Sequence, residues 1–143
     1  MLAKRAYDIY LRGCGIRRMG GELRRIMNRA LSAAIRQGRI LSEDEHKKGG
    51  LLYSIVRTKR VAPLKLRQRG PRTYDEIPPS ELLAVGRYLA ERDRLDLSSD
   101  EHLRAILEAF DLKRLTTQVG TNLLEILGSK IDYVDEWLAA NRQ

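Results

Sequence analysis

The chain has 143 residues and carries 27 Lys and Arg against 19 Asp and Glu, a net charge of +8. That length suits one ordinary domain or two very small ones, and 43% hydrophobic with 32% charged residues describes a globular chain rather than a disordered one. No apolar run reaches the length of a membrane span, the start "MLAKRAYDIYLRG" lacks a signal-peptide core, and a lone Cys14 excludes an internal disulfide framework, so the expected setting is a reducing cytoplasm.

The charge is divided along the chain. Residues 1–72 hold 19 Lys and Arg against 5 Asp and Glu, net +14, and residues 73–143 hold 8 against 14, net −6. Solubility does not require such segregation, whereas a polyanionic partner for the first half does.

In chain order, a short helix over the residues leading to Tyr10 and Leu11 is followed by the turn "RGCGIRRMGG". A longer helix then runs from Gly20 to Gln37 and is closed by Gly38. Its apolar stripe of Leu23, Ile26, Met27, Ala30, Leu31, Ala34 and Ile35 is expected to face a core. "RIL" (39–41) and "LLYSIV" (51–56) are β-prone runs on either side of the polar "SEDEHKKGG", which reads as a hairpin with a long loop. Helix, turn, helix and hairpin together make a winged-helix pattern. The stretch 61–79 is basic, proline-bearing and aperiodic, and is expected to be a linker. "ELLAVGRYLAERD" after Ser80 is a helix, and Ser98 with Glu101 suggests a capping box for the next one. Leu103, Ile106, Leu107 and Phe110 share one apolar face, "DLKRLT" makes a turn, and Thr116 or Thr117 caps the following helix. Tyr133, Val134, Trp137 and Leu138 fit a last helix packed back on the core.

Two of these segments match each other. An offset of 96 residues lays Tyr10–Ile35 on Ile106–Ile131 and pairs apolar positions throughout: Tyr7 with Leu103, Leu11 with Leu107, Cys14 with Phe110, Met27 with Leu123, Leu31 with Leu127. Cys14 is therefore expected to be a buried hydrophobe. The expected fold is mainly α: tandem winged-helix-like or helix-turn-helix units, with a short β-hairpin wing in the first. The units are a basic one over 1–60 and an acidic helical one over 80–143. By this comparison the first unit lacks the helix that opens the second, either because chain precedes Met1 or because a partner supplies it.

The motifs Ile16-Arg17-Arg18, Gly70-Pro71-Arg72, Glu76-Ile77-Pro78-Pro79 and Leu112-Lys113-Arg114 resemble the uncharacterised C-terminal helix-turn-helix module of large bacterial superfamily I helicase-like proteins. The resemblance spans Lys4 to Ile131, with Asp111 in place of a family glycine. It implies an accessory nucleic-acid-binding segment beside a helicase motor, as a domain or a subunit. No G-x-x-x-x-G-K-[ST] is present, so the chain is expected to have no ATPase of its own.

Arg24, Arg25, Asn28, Arg29 and Arg36 lie off the apolar stripe of the long helix, and Arg17 and Arg18 lie in the turn before it. A helix N-terminus and forked guanidiniums both suit phosphate, and Asn28 or an arginine could read a base edge, although mostly backbone contacts are expected. Lys47 and Lys48 in the hairpin loop, with Arg57, Lys59 and Arg60 after its second strand, would add backbone contacts. Lys65, Arg67, Arg69 and Arg72 are linker cations that can do the same. The expected partner is DNA, bound non-specifically or with weak specificity; no cofactor and no metal is expected. The alternatives are a protein–protein adaptor whose basic half docks an acidic partner, and a nuclease built on the "DEH" triplets at 44–46 and 100–102. Two histidines and one cysteine assemble no standard zinc site.

Overall fold

The computed structural model describes Met1–Asn141. The described residues form six α-helices and one two-stranded antiparallel sheet. They divide into two units, the first ending at Pro63 and the second starting at Leu64.

Unit 1 opens with α1 (Ala3–Gly13) and α2 (Gly21–Arg36), followed by β1 (Ile40–Glu43) and β2 (Ile55–Thr58). The strands pair in the register Ile40 with Thr58 and Glu43 with Ile55. Leu2 adds an antiparallel bridge to Ile55 on the free edge of β2. Helix, turn, helix and hairpin in this order are compatible with a winged-helix-like fold. The second strand lies further along than its apolar run suggested. Leu51–Tyr53 forms a 3-10 turn against α1, and Gly50 enters it at φ 79, outside the extended range.

The buried apolar residues of unit 1 are Leu2, Ala3, Tyr7, Leu11 and Ile55. None lies on α2. The stripe expected to face a core is instead half-exposed at Leu23, Met27 and Leu31 and open at Ala30, and Ile26 is 54% exposed. Cys14 is exposed too, contrary to its apolar alignment.

Unit 2 is a four-helix cluster: α3 (Pro79–Asp93), α4 (Asp100–Ala109), α5 (Thr117–Leu127) and α6 (Asp132–Ala140). α3 packs against all three of the others. Leu82, Leu83, Leu103, Ile106, Phe110, Leu123, Ile126, Val134 and Leu138 lie in one continuous core, with Tyr133 and Trp137 at its margin. Thr116 caps α5 by accepting from the Val119 N–H at 3.2 Å. For α4 the capping residue is Ser99, one beyond the expected Ser98; its hydroxyl accepts from the His102 N–H. Ser98 instead closes on Asp96.

The segment expected to be a linker up to residue 79 folds with unit 2 from Leu64 onward. Leu64 and Ile77 join the core. Arg72, almost fully buried, donates through Nη1 to both carboxylate oxygens of Glu81 at 3.1 and 3.0 Å. Its Nη2 reaches the carbonyls of Arg67 and Gln68, and its Nε that of Arg69. All five N–H directions of one guanidinium face an acceptor, so this arginine folds a loop around itself and fixes it to the first turn of α3. Arg67 adds a second contact to Glu81 at 2.6 Å. Burying a carboxylate is tolerable only with such saturation.

The two helix pairs agree in local backbone at the offset of 96. α1 ends at Gly13 and α4 at Ala109; α2 follows Gly20 and α5 follows Thr116. Ile16 N–H donates to the Leu11 carbonyl and Leu112 N–H to that of Leu107, both at 2.8 Å. Gly15 donates to Arg12, and Asp111 to Glu108. Gly15 and Asp111 both have left-handed φ, 76 and 52. Crossing bonds around such a residue are the usual way to satisfy the last carbonyls of a helix.

Candidate nucleic-acid interface

The cations that sequence reasoning singled out in unit 1 fall into two groups. Arg17, Arg18, Arg24, Arg25, Arg29 and Arg36 are exposed. Among the described residues, no hydrogen bond or ion pair engages any of these six side chains. Arg25, Arg29 and Arg36 recur at i, i+4 and i+11 and so form one stripe along α2. Arg17 and Arg18 lie in the turn that precedes its N-terminus, where Glu22 is the one acid of the helix. Free backbone N–H groups and guanidiniums at the same helix end make a favourable seat for phosphate oxygens. Arg12, at the end of α1, and Arg39, just before β1, are also exposed on this unit, although sequence reasoning passed over them.

The remaining candidates are engaged within the fold. Asn28 is half-buried, and its Oδ1 accepts from the Tyr7 hydroxyl at 3.0 Å. It ties α2 to α1, which removes the side-chain oxygen from any base-reading role. Burial also raises the Tyr7 phenol above its ordinary range, so it stays protonated and donating. Arg57 pairs with Glu43 across the hairpin at 3.1 Å and donates to the Val61 carbonyl; its side chain is 17% exposed. It is a rung of the sheet. In the loop, Asp44 accepts from the backbone N–H groups of Lys48 and Gly49. Lys47 beside it is exposed, at φ 53, while Lys48 Nζ lies 5.6 Å over the Tyr53 ring. Lys59 and Arg60 are exposed just beyond β2.

Of the linker cations, Lys65 is exposed and the other three are engaged within the fold. Arg67 and Arg72 are bound to Glu81, and Arg69 donates to the Arg72 carbonyl and faces Asp111 at 3.4 Å. Assigning residues from Leu64 onward to unit 2 leaves unit 1 with 15 Lys and Arg against 5 Asp and Glu, net +10, and the rest of the chain with 12 against 14, net −2. The asymmetry is smaller than the division at residue 72 implied, yet nearly all the uncompensated charge stays on unit 1.

The "DEH" triplets lie in different settings, one in the hairpin loop and one at the start of α4. Asp44 shapes the loop as described, and Asp100 and Glu101 sit in the first turn of α4, where acidic groups favour the helix dipole. His102 is fully buried, and neither ring nitrogen finds a hydrogen-bond partner. Burial lowers its pKa, with Asp96 opposing weakly. Among the described residues no three His, Cys, Asp or Glu side chains are grouped to hold a metal, and no helix is long and apolar enough to cross a membrane.

Comparison with protein-family models, with curated proteins and with solved structures gives no match.

Proposed function

We propose that unit 1 binds nucleic acid, DNA in the first instance, through the phosphate backbone. The observation that carries this reading is the set of six exposed arginines on α2 and its preceding turn, free of carboxylate partners. Lys47, Lys59 and Arg60 extend it along the hairpin. With Asn28 held by Tyr7, the surface offers charge and forked donors rather than a base-reading pattern, so the contacts position a duplex without selecting its sequence. The shared turn geometry at an offset of 96 supports reading the chain as a tandem of two diverged helix-turn-helix scaffolds, the first of them winged. Unit 2 would then be the bracing member. In this reading the chain is a binding module rather than a catalyst, and the resemblance of its motifs makes a helicase motor the proposed associate.

The test is a fluorescence titration of duplex DNA over a range of salt. The Arg24→Ala, Arg25→Ala, Arg29→Ala triple variant should keep its helical circular dichroism and lose affinity by more than about tenfold. Each lost phosphate contact should also flatten the slope of log K against log salt by about 0.9. A folded triple variant that binds DNA with unchanged affinity and slope overturns the proposal. If the folded wild type binds an acidic protein partner but no duplex, the basic surface is an adaptor instead.

A further inference from the structure

In unit 2, the place where α3 crosses the helix pair is marked by Gly86. A Cβ there would come within 2.5 Å of Leu127, 3.0 Å of Ile106 and 3.7 Å of His102. These three residues lie against α3, and Phe110 and Ile126 are buried in the same unit on the same helix pair. At the offset of 96 their counterparts in unit 1 are Leu31, Tyr10, Ala6, Cys14 and Ala30. Tyr10 is 61% exposed, Cys14 and Ala30 are exposed, and Ala6 and Leu31 are half-exposed. Ile9 on α1 and Ile26 on α2 are exposed as well. Unit 1 thus presents, uncovered, the side of a helix pair that unit 2 keeps dry.

We propose that this face of unit 1 receives an amphipathic helix from a partner polypeptide, seated as α3 is seated on unit 2, apolar on its inner side and acidic along its flanks. The acidic flanks follow from charge. Unit 1 is net +10, and the exposed Arg12 and Arg29 stand three residues beyond Ile9 and Ile26, neighbours on the same helical surfaces. The same charge disfavours a second copy of unit 1 as the occupant, since like surfaces would be brought together. The strip is shallower in side-chain volume than its counterpart, with Cys14 where unit 2 has Phe110 and Ala30 where it has Ile126. The partner helix therefore carries bulkier apolar side chains opposite those two positions than α3 does, because close packing fills such gaps.

The probe is a fluorescein-labelled peptide with the α3 sequence, Pro79–Asp93, carrying Arg87→Glu and Arg92→Glu, titrated with the full chain. Saturable binding with a Kd of roughly 1–100 µM is expected, weakened at least about tenfold by Tyr10→Asp and by Ala30→Asp. Both positions are exposed, so the variants should melt as the wild type does, which separates lost docking from lost fold. A scrambled peptide of the same composition should not bind. The proposal is overturned by absence of saturation at about 1 mM, by equal binding of the scrambled peptide, or by indifference to both aspartate substitutions. It is also overturned if sedimentation of the chain alone shows a dimer that Tyr10→Asp dissolves, which would assign the face to a second copy.

Discussion

In unit 2, Ile106, Phe110, Leu123 and Ile126 lie inside a core; their counterparts in unit 1, Tyr10, Cys14, Met27 and Ala30, are exposed or half-exposed. Yet in both pairs the first helix ends, the chain turns and the second helix starts at matching positions, with the same hydrogen bonds across the turn, although α2 runs five residues further than α5. The difference therefore does not arise in the local backbone. It arises in what is laid over the pair and in which charges decorate it. Where unit 2 places Thr121, Asn122 and Glu125 along α5, unit 1 places Arg25, Ile26 and Arg29 along α2. The helix pair of unit 2 is covered and carries neutral or acidic groups along α5, whereas that of unit 1 stays open and carries arginines along α2.

The sharpest way to break this contrast is to loosen unit 2. Arg72→Ala leaves the buried Glu81 carboxylate with Arg67 as its one remaining arginine and frees the loop wrapped around the guanidinium, at a cost of about 3 kcal/mol. Trp137, the one tryptophan, lies at the margin of the same core and reports its melting by fluorescence. A loss under about 1 kcal/mol would show that the loop holds without its arginine. Gly86→Ala comes next. The added methyl presses on Leu127 and Ile106, and the net loss should be about 1–2 kcal/mol after the helix-propensity gain of alanine. Thr116→Ala removes the hydroxyl that caps α5 and should cost about 1 kcal/mol in the same melt. Gly20, at the matching position of unit 1, has no side-chain cap to lose.

The smallest effect concerns pH. Burial lowers the pKa of His102 in the folded state, so the unfolded chain binds the proton more readily. Stability is then complete above the ordinary histidine range and declines as pH falls through it toward the folded value. His102→Leu should flatten that decline in a Trp137-monitored melt between neutral and mildly acidic pH. The counterpart in unit 1 is Ala6, so this titrating group has no equivalent at the matching position there. An unchanged profile in the variant would show that His102 is not the titrating group.

Helix ends were largely legible in the residues because capping and termination are local events. Thr116 and Gly38 lie where their chemistry calls for them. Burial was less legible, because it depends on what arrives from elsewhere in the chain. The stripe from Leu23 to Ile35 has the period of a core face, but period says nothing about whether a neighbour covers it. The segment from Leu64 to Pro79 reads as a linker because its organising contact, Arg72 with Glu81, joins one residue to another without any repeat. Among the candidate cations, six on α2 and its turn stand exposed as their spacing suggested. Arg57 and Asn28 were misread because their partners, Glu43 and Tyr7, come from other elements.

Asp111 takes the bend that Gly15 takes, though a side chain at left-handed φ is disfavoured by about 1 kcal/mol relative to glycine. The corner is thus drawn by the peptide groups that meet there and only lightly by the letter at its apex. A bend of this kind lets spelling drift while the path of the main chain persists. Any kinship between such corners is to be sought by laying one trace over another, long after letter-by-letter matching has gone quiet.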